Sequence, residues 1–439
     1  MGKHRQDYSH QYSMPYRSLK MRHLFKRMLF SEPISDSRLA QTEKDVAPYI
    51  FPLTTELIWD IVEYLEPNDL LNVRVVCKDL HQKTLHCYGL TFLKSVHTDL
   101  TPSKIQKLEA VSNNKQMGPY VRKLHMMSSC LVIPYDPDRL TEIRLSRCRA
   151  IVDNISRLEN CRSFEITNWL EWYPVDDNGS IIDIIQALEV SASLLTILAQ
   201  RGLLAKSFTF CCKILLTNEC TTPKRVFRDL LLNNPLNKMN LGSQGAWAQL
   251  EEVCLDIRDN EGHLEWLGDL FRNALHLQKV SLHLFTPGLK FEDDMLTNQI
   301  CLGSTFPDLH TLNMSYCDFS LKALSRFILH CAENLRVLSL VRMNIINGEN
   351  WRTILSLLQS NCPLLETICL KWLSSSIENS RDEIQFPEIM GRPGISKLKG
   401  ITLARTVSAL GEERIFGVDY SGPHMSELLD GLIDTAEPC

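Results

Sequence analysis

Two rhythms of apolar residues divide the chain. Between Leu53 and Leu80 the stretch LTTELIWDIVEYLEPNDLLNVRVVCKDL carries a helical one. Leu57, Ile58, Ile61, Val62 and Leu65 fall on one wide face behind an expected N-cap at Thr54 or Thr55. Pro67 ends that helix. Asn68 or Asp69 can cap a second one, whose stripe reads Leu70, Val73, Cys77 and Leu80 at spacings of three, four and three. Leu71, Val75 and Val76 lie off this stripe, so the second helix has more than one apolar side. A unit of about 40 residues is near the lower limit of independent folding. Each Leu or Ile left in water forgoes about 1.5–3 kcal/mol that burial would return. The excess surface is therefore expected to be covered by the following domain or by a partner protein.

Beyond residue 90 the rhythm becomes Leu-x-x-apolar-x-apolar. It stands at Leu250/Val253/Leu255, Leu277/Val280/Leu282, Leu309/Leu312/Met314, Leu335/Leu338/Leu340, Leu365/Ile368/Leu370 and Leu398/Ile401/Leu403. Successive copies start 27, 32, 26, 30 and 33 residues apart. Weaker copies occur at Val121/Leu124/Met126, Cys161/Phe164/Ile166 and Ala205/Phe208/Phe210. Helical patterns separate the strong copies: Leu264, Leu267, Phe271 and Ala274; Leu321, Leu324, Ile328 and Cys331 behind Ser320 as N-cap; Trp351, Ile354, Leu357 and Leu358. A short strand and a helix repeated at this period predict a solenoid, with parallel strands inside and helices outside. The competing reading is an ordinary α/β domain whose buried strands begin with Leu. In the solenoid, the residues flanking the inward ones face the binding side. These are Glu252, Cys254, Lys279, Ser281, Thr311, Asn313, Val337, Ser339, Thr367 and Cys369. They are mostly small and neutral without an Arg cluster, which favours a protein surface read by shape and hydrogen bonding over a phosphate reader.

Composition changes this picture little. The chain is 44% apolar and 23% charged, and no stretch approaches the roughly 20 apolar residues of a membrane span. The start, MGKHRQDYSHQY, has no apolar signal-peptide core. Charge is more informative. Residues 1–30 carry seven Lys/Arg against one Asp, a balance of +6, so that a total of −5 leaves −11 for the rest. The body is thus not expected to favour nucleic acid. The basic segment YRSLKMRHLFKRMLF reads as a solvated leader or as an amphipathic helix for a membrane, an import receptor or an acidic partner. The 15 cysteines are scattered, mostly singly and often inside apolar runs, which points to reduced, buried thiols and a cytoplasmic or nuclear setting.

Catalytic motifs are missing from the sequence: there is no GxSxG elbow, Walker loop, HExxH or GxGxxG. VDDNGS (Val175–Ser180) lacks calcium-loop spacing, and Cys211-Cys212 with Cys220, and His330-Cys331, lack paired metal spacing. No catalytic, cofactor-binding or metal-ligating residue is therefore expected. WLEWYP (Trp169–Pro174) reads as core or repeat-edge packing, against an exposed partner anchor. Leu85–Val96 is open between a third helix, a strand, or both. His424–Cys439 reads as a short amphipathic helix that caps or folds back over the repeats.

Leu53, Glu56, Leu57, Ile61, Val62, Leu65, Pro67, Asp69, Leu70, Arg74, Val76, Cys77 and Lys78 form an ordered set that resembles an F-box, with Thr54 where the family's Pro stands and Pro52 just before. The repeats resemble irregular leucine-rich repeats; only Cys317 fills the family's Asn/Cys slot, which elsewhere holds Met343 or Leu373. With GPYVRKLHM (Gly118–Met126), the pairing resembles fungal F-box proteins. The expected α/β architecture is a basic tail and linker (1–48), a small all-helical F-box (49–95), the irregular repeat region (96–405) and a C-terminal tail or cap (406–439).

The resemblance implies a non-catalytic receptor subunit of a ubiquitin ligase. Its F-box docks on a Skp-type linker protein, and through it on cullin and RING subunits, while the repeats hold a protein substrate. Leu53, Glu56, Leu57, Ile61, Leu65, Pro67, Leu70, Val76 and Cys77 would be the docking residues. Glu252, Lys279, Ser281, Thr311, Asn313, Ser339 and Thr367 would line the substrate face. A scaffold that binds the linker outside the ligase, and an enzyme with an unrecognised site, are the alternatives.

Overall fold

A computed structural model describes residues 53–99, 101–127, 137–169, 205–213, 247–258, 270–285, 306–346, 350–377, 380–387, 389–392, 394–407 and 413–438. The basic leader, residues 170–174 of the aromatic cluster, the 175–180 segment, Cys220, Leu264 and Leu267 lie outside these residues. The chain divides into two compact units, Met1–Lys94 and Ser95–Cys439.

The first unit is helical. Helices α1 (Thr55–Val62), α2 (Pro67–Val76), α3 (Lys78–Lys83) and α4 (Leu85–Tyr88) are followed by a π turn at Gly89–Leu93. Thr54 is the N-cap of α1, its hydroxyl accepting from Leu57 N at 3.5 Å. The second helix starts one residue before the expected caps, with Pro67 at its first position and Glu66 before it. A fixed φ and a missing N–H make Pro a natural first residue. The expected single helix to Leu80 also breaks: Cys77 is extended, and its sulfur accepts from Leu80 N at 3.4 Å to cap α3. The stripe survives the break. Ile58, Val62, Leu70, Val73 and Leu80 form a buried core, covered by Leu53, Ile61, Leu65, Cys77, Cys87, Tyr88 and Phe92.

The second unit is built on an 11-stranded sheet. Its chain runs β1 (Ser95–Thr98), α5 (Pro102–Asn113), β2 (Lys123–Met127), α6 (Pro137–Ile155), β3 (Ser163–Trp169), β4 (Ser207–Lys213), β5 (Glu252–Arg258), β6 (Lys279–Phe285) and β7 (Thr311–Ser315). Then come β8 (Asp318–Phe319), α7 (Leu321–Cys331), β9 (Val337–Val341), β10 (Asn344–Ile346), α8 (Trp351–Asn361), β11 (Thr367–Lys371), β12 (Ser374–Ile377) and β13 (Ser380–Gln385). It closes with β14 (Thr402–Val407), β15 (Glu413–Ser421), α9 (Met425–Thr435) and β16 (Glu437–Pro438). The large sheet has the order β1-β2-β3-β4-β5-β6-β7-β9-β11-β15-β14. Leu85–Val96 is thus helix and strand together.

From β1 to β11 every pairing is parallel. The sequence copies fall into register: Leu124, Phe164, Phe208, Val253, Val280, Leu312, Leu338 and Ile368 pair across eight strands, weak copies included. Met126, Ile166, Phe210, Leu255, Leu282, Met314, Leu340 and Leu370 make the second row, and both rows are buried. Only this register puts every inward residue on one side, because a slip of one residue would turn each strand's apolar set to water. The leading residues from Val121 to Leu365 are buried too. Ser320 caps α7 through Ala323 N at 3.2 Å, as expected, and α7, α8 and α9 pack side by side.

The sixth strong copy departs from the pattern. Leu398/Ile401/Leu403 leads into β14, which pairs antiparallel with β15, and β15 lies antiparallel between β11 and β14. A hairpin takes this place instead of another parallel strand because Glu413–Ser421 is available to pair with both neighbours. The expected boundary at 405/406 therefore falls inside β14, and residues 413–438 are part of the sheet and its helical cover, with Arg352 Nε donating to Ala436 O at 2.9 Å. A second, 5-stranded sheet, β16-β13-β12-β10-β8, collects the short strands after each turn.

Candidate docking face and binding surface

The first unit buries a guanidinium. Arg74 is only 6% exposed; it donates to His81 O at 3.1 Å, bonds His81 Nε2 at 3.0 Å and lies 4.1 Å over the Tyr88 ring. Burial holds its pKa below the usual range. Trp59 Nε1 donates to Lys83 O at 2.7 Å, and Lys83 Nζ reaches Leu53 O at 3.1 Å and Asp79 at 2.9 Å. These bonds tie α1, α2 and α3 to the segment beyond, so the unit closes its own core.

It also leaves large apolar side chains in water. Val75 is 83% exposed, Val76 52%, Tyr64 49%, Leu57 48% and Leu71 41%. Leu71 and Val75 are four apart and share one face of α2. The expected docking residues therefore separate. Leu57 and Val76 are exposed, as are Glu56 and Pro67. Glu56, in the first turn of α1, is held below the ordinary carboxylate range by its own backbone N–H and by the Thr54 hydroxyl. Leu53, Ile61, Leu65 and Cys77 are half-buried against their own core. Leu70, 3% exposed, lies in the core of the unit, on the same stripe as Val73 and Leu80. Tyr64, Leu71 and Val75 belong on the exposed list; the off-stripe position of Leu71 and Val75 was the signal for them.

Residues 50–88 match the F-box domain. No curated protein matches the chain. The F-box thus coincides with the helical unit, and its unburied side chains are those on which such a domain has apolar surface to offer another chain.

On the large sheet, all the expected face residues lie on the side away from the core. Glu252 and Lys279 are exposed; Ser281, Thr311, Asn313, Ser339 and Thr367 are half-buried. They form two cross-strand rows, Glu252-Lys279-Thr311-Val337-Thr367 and Cys254-Ser281-Asn313-Ser339-Cys369. Asn313 Nδ2 donates to Ser281 Oγ at 3.1 Å, and Thr367 Oγ1 meets Ser421 Oγ at 2.9 Å. The Ser421 partner comes from β15, which sequence reasoning did not place there.

A second polar cluster on this face escaped sequence reasoning because its members are 28 and 42 residues apart. His125 Nδ1 lies 2.8 Å from His97 Nδ1, and its Nε2 lies 2.8 Å from Thr167 Oγ1. Glu165 Oε2 accepts from Lys123 Nζ at 2.5 Å. Burial lowers the His125 pKa, with Glu165 pulling the other way. Burial opposes ionisation of Glu165, yet Lys123 and His125 hold its pKa down overall. A short Nδ1···Nδ1 approach needs one of the two rings without a proton at that atom. The cluster is a hydrogen-bonded network across β1, β2 and β3. Among the described residues no group of His, Cys, Asp or Glu is arranged to hold a metal. No helix of the described residues is long and apolar enough to cross a membrane.

Cys148, Cys161, Cys317, Cys331 and Cys362 are buried, and the Cys331 thiol donates to Phe327 O and Ile328 O within its helix. Cys254 is exposed.

Proposed function

We propose that this protein is a non-catalytic substrate receptor of a cullin-RING ubiquitin ligase. Its F-box docks on a Skp-type linker, and the sheet of residues 95–438, an irregular leucine-rich-repeat array of fungal type, binds a protein substrate. One observation carries the reading: a closed helical unit matching the F-box domain leaves Leu57, Leu71, Val75 and Val76 in water. The in-register rows of apolar copies support the repeat reading. Catalysis in this reading is positional, since the receptor raises the effective concentration of substrate near the charged enzyme.

The test is calorimetric titration of the full chain with a purified Skp-type linker. Leu57→Asp and Val75→Asp replace exposed side chains, so the unit stays folded, and each weakens binding by about 30-fold or more, as expected for an interface anchor worth about 2 kcal/mol. Aspartate at Ile61 or Leu65 is a poorer probe, because both pack on the core. Full-strength linker binding by both variants would reject the docking face. Linker binding without recruitment of cullin and RING subunits would turn the reading to a scaffold outside the ligase.

A further inference from the structure

Three successive turns leave the large sheet with a residue in the left-handed region: Tyr316 (φ 59°), Arg342 (φ 53°) and Trp372 (φ 56°). Side chains other than Gly, Asn and Asp seldom adopt this conformation, and bulky ones at a cost. Here it recurs at the same point of three units. Each is followed by a residue buried at 0%, Cys317, Met343 or Leu373, which pins the turn from below. Each N–H bonds one strand further on: Tyr316 N to Val341 O at 3.0 Å, Arg342 N to Lys371 O at 2.7 Å, Trp372 N to Phe416 O at 2.9 Å. The three side chains thus stand side by side at strand spacing, about 4.8 Å per step.

The row is ordered by its own contacts. Arg342 Nη1 donates to the Tyr316 hydroxyl at 2.7 Å, with the guanidinium 5.0 Å from the ring centroid. Tyr316 lies 4.7 Å from the His283 ring, and Trp372 stacks on Phe416 at 5.5 Å and 17°. Arg342 is exposed, and Tyr316 and Trp372 are half-buried. Trp, Tyr and Arg are the side chains that most often anchor protein interfaces, and aromatic rings already held in place lose little entropy on binding. Charge sets the partner's chemistry. The Arg342 guanidinium is held by the neutral Tyr316, while the neighbouring Asp419 carboxylate is taken by Lys371 Nζ at 3.1 Å. The row offers a preset guanidinium with unused donors beside the Tyr316 ring and one strand from Trp372, and among the described residues no carboxylate answers it.

We infer that this ledge receives a short acidic segment of the protein substrate, a carboxylate on Arg342 and an adjacent apolar or aromatic side chain against Tyr316 or Trp372. This rests on reading residues 95–438 as the substrate-binding part. Two steps of strand spacing match about three residues of extended chain.

The probe is a displayed library of random nine-residue peptides, selected on the purified full chain. Enriched peptides are expected to carry Asp or Glu beside an apolar or aromatic residue. Arg342→Asn and Trp372→Asn keep a side chain that tolerates the left-handed turn, so both variants fold, as melting curves equal to wild type would confirm. Each should weaken the selected peptides at least tenfold, with Arg342→Lys recovering part of the loss and Lys104→Ala, at an exposed position of α5, costing less than twofold. Absence of enrichment, enrichment of peptides without acidic residues, or affinities within twofold for folded Arg342→Asn and Trp372→Asn would overturn the inference. Leu57→Asp should leave the selection unchanged. Failed linker binding beside a successful selection would reject the ligase reading alone, and the reverse outcome the ledge alone.

Discussion

Arg74 shows how a residue of the F-box motif can work inward. In the RVVCK run it has the look of a surface charge, yet its guanidinium joins α2 to the carbonyl and ring of His81 and to the face of Tyr88. Arg74→Met should destabilise the F-box unit by about 1.5–3 kcal/mol, because His81 loses a charged donor in a dry place. A lowered urea midpoint for that unit checks it, and an unchanged midpoint would show the bonds to be dispensable. The buried thiols make a second prediction at this scale. Burial pushes Cys161 and Cys317 up to about 12 and Cys362 to about 11. A thiol harder to ionise in the folded state holds its proton while the unfolded chain releases it. Stability is therefore intact below the unfolded thiol pKa near 9 and falls as pH rises toward 11–12, by up to about 1.4 kcal/mol per pH unit and thiol. Native-state alkylation at about pH 8.5, near the unperturbed thiol pKa, should spare these three and mark the exposed Cys254, and modification at equal rates would contradict the burial. That these cysteines pack in apolar runs was readable from their neighbours; which would be innermost depended on the sheet above them.

At the scale of elements, the parallel strands were legible and the strand that ends them was not. A strand with a period of two and a leading Leu announces itself within its own short segment. The antiparallel β15 does not, because its sequence ERIFGVDYS alternates weakly and owes its place to partners tens of positions away, such as Lys371 opposite Gly417. Gly417 shows how close that fit is. A Cβ there would stand 2.6 Å from Leu370 O and 2.9 Å from Lys371 Cα, and backbone cannot step aside like a side chain. Gly417→Ala should cost about 1–3 kcal/mol, the usual range for overpacking, and speed amide exchange in β14 and β15. Gly391→Ala, where nothing lies within 4 Å of the added carbon, is the matched control and should change neither. Equal exchange in the two variants would mean that β15 can shift off β11. The break between α2 and α3 was likewise hidden, since the apolar stripe runs through Cys77 without a gap.

For the whole molecule, the division at Lys94/Ser95 makes the F-box a small unit whose stability is open to gain from a partner. Linker at about 100 times its Kd should stabilise that unit by about 2.7 kcal/mol, slowing exchange of its core amides about 100-fold, while amides of β6, β7, β9 and β11 keep their rates. Protection that spread equally through those strands would argue against a linker confined to the F-box. Between them, the two rhythms determined most of what could be known in advance: a helical pair with a surplus of apolar surface, and rows of strands whose register follows because any other would turn Leu and Ile to water. Those are local consequences of side-chain period and burial. What only the tertiary structure decided was which surplus side chains stay in water, where β15 inserts, and that Tyr316, Arg342 and Trp372 line up. Each of these depends on groups brought together across tens of residues, and no periodicity within one segment encodes them.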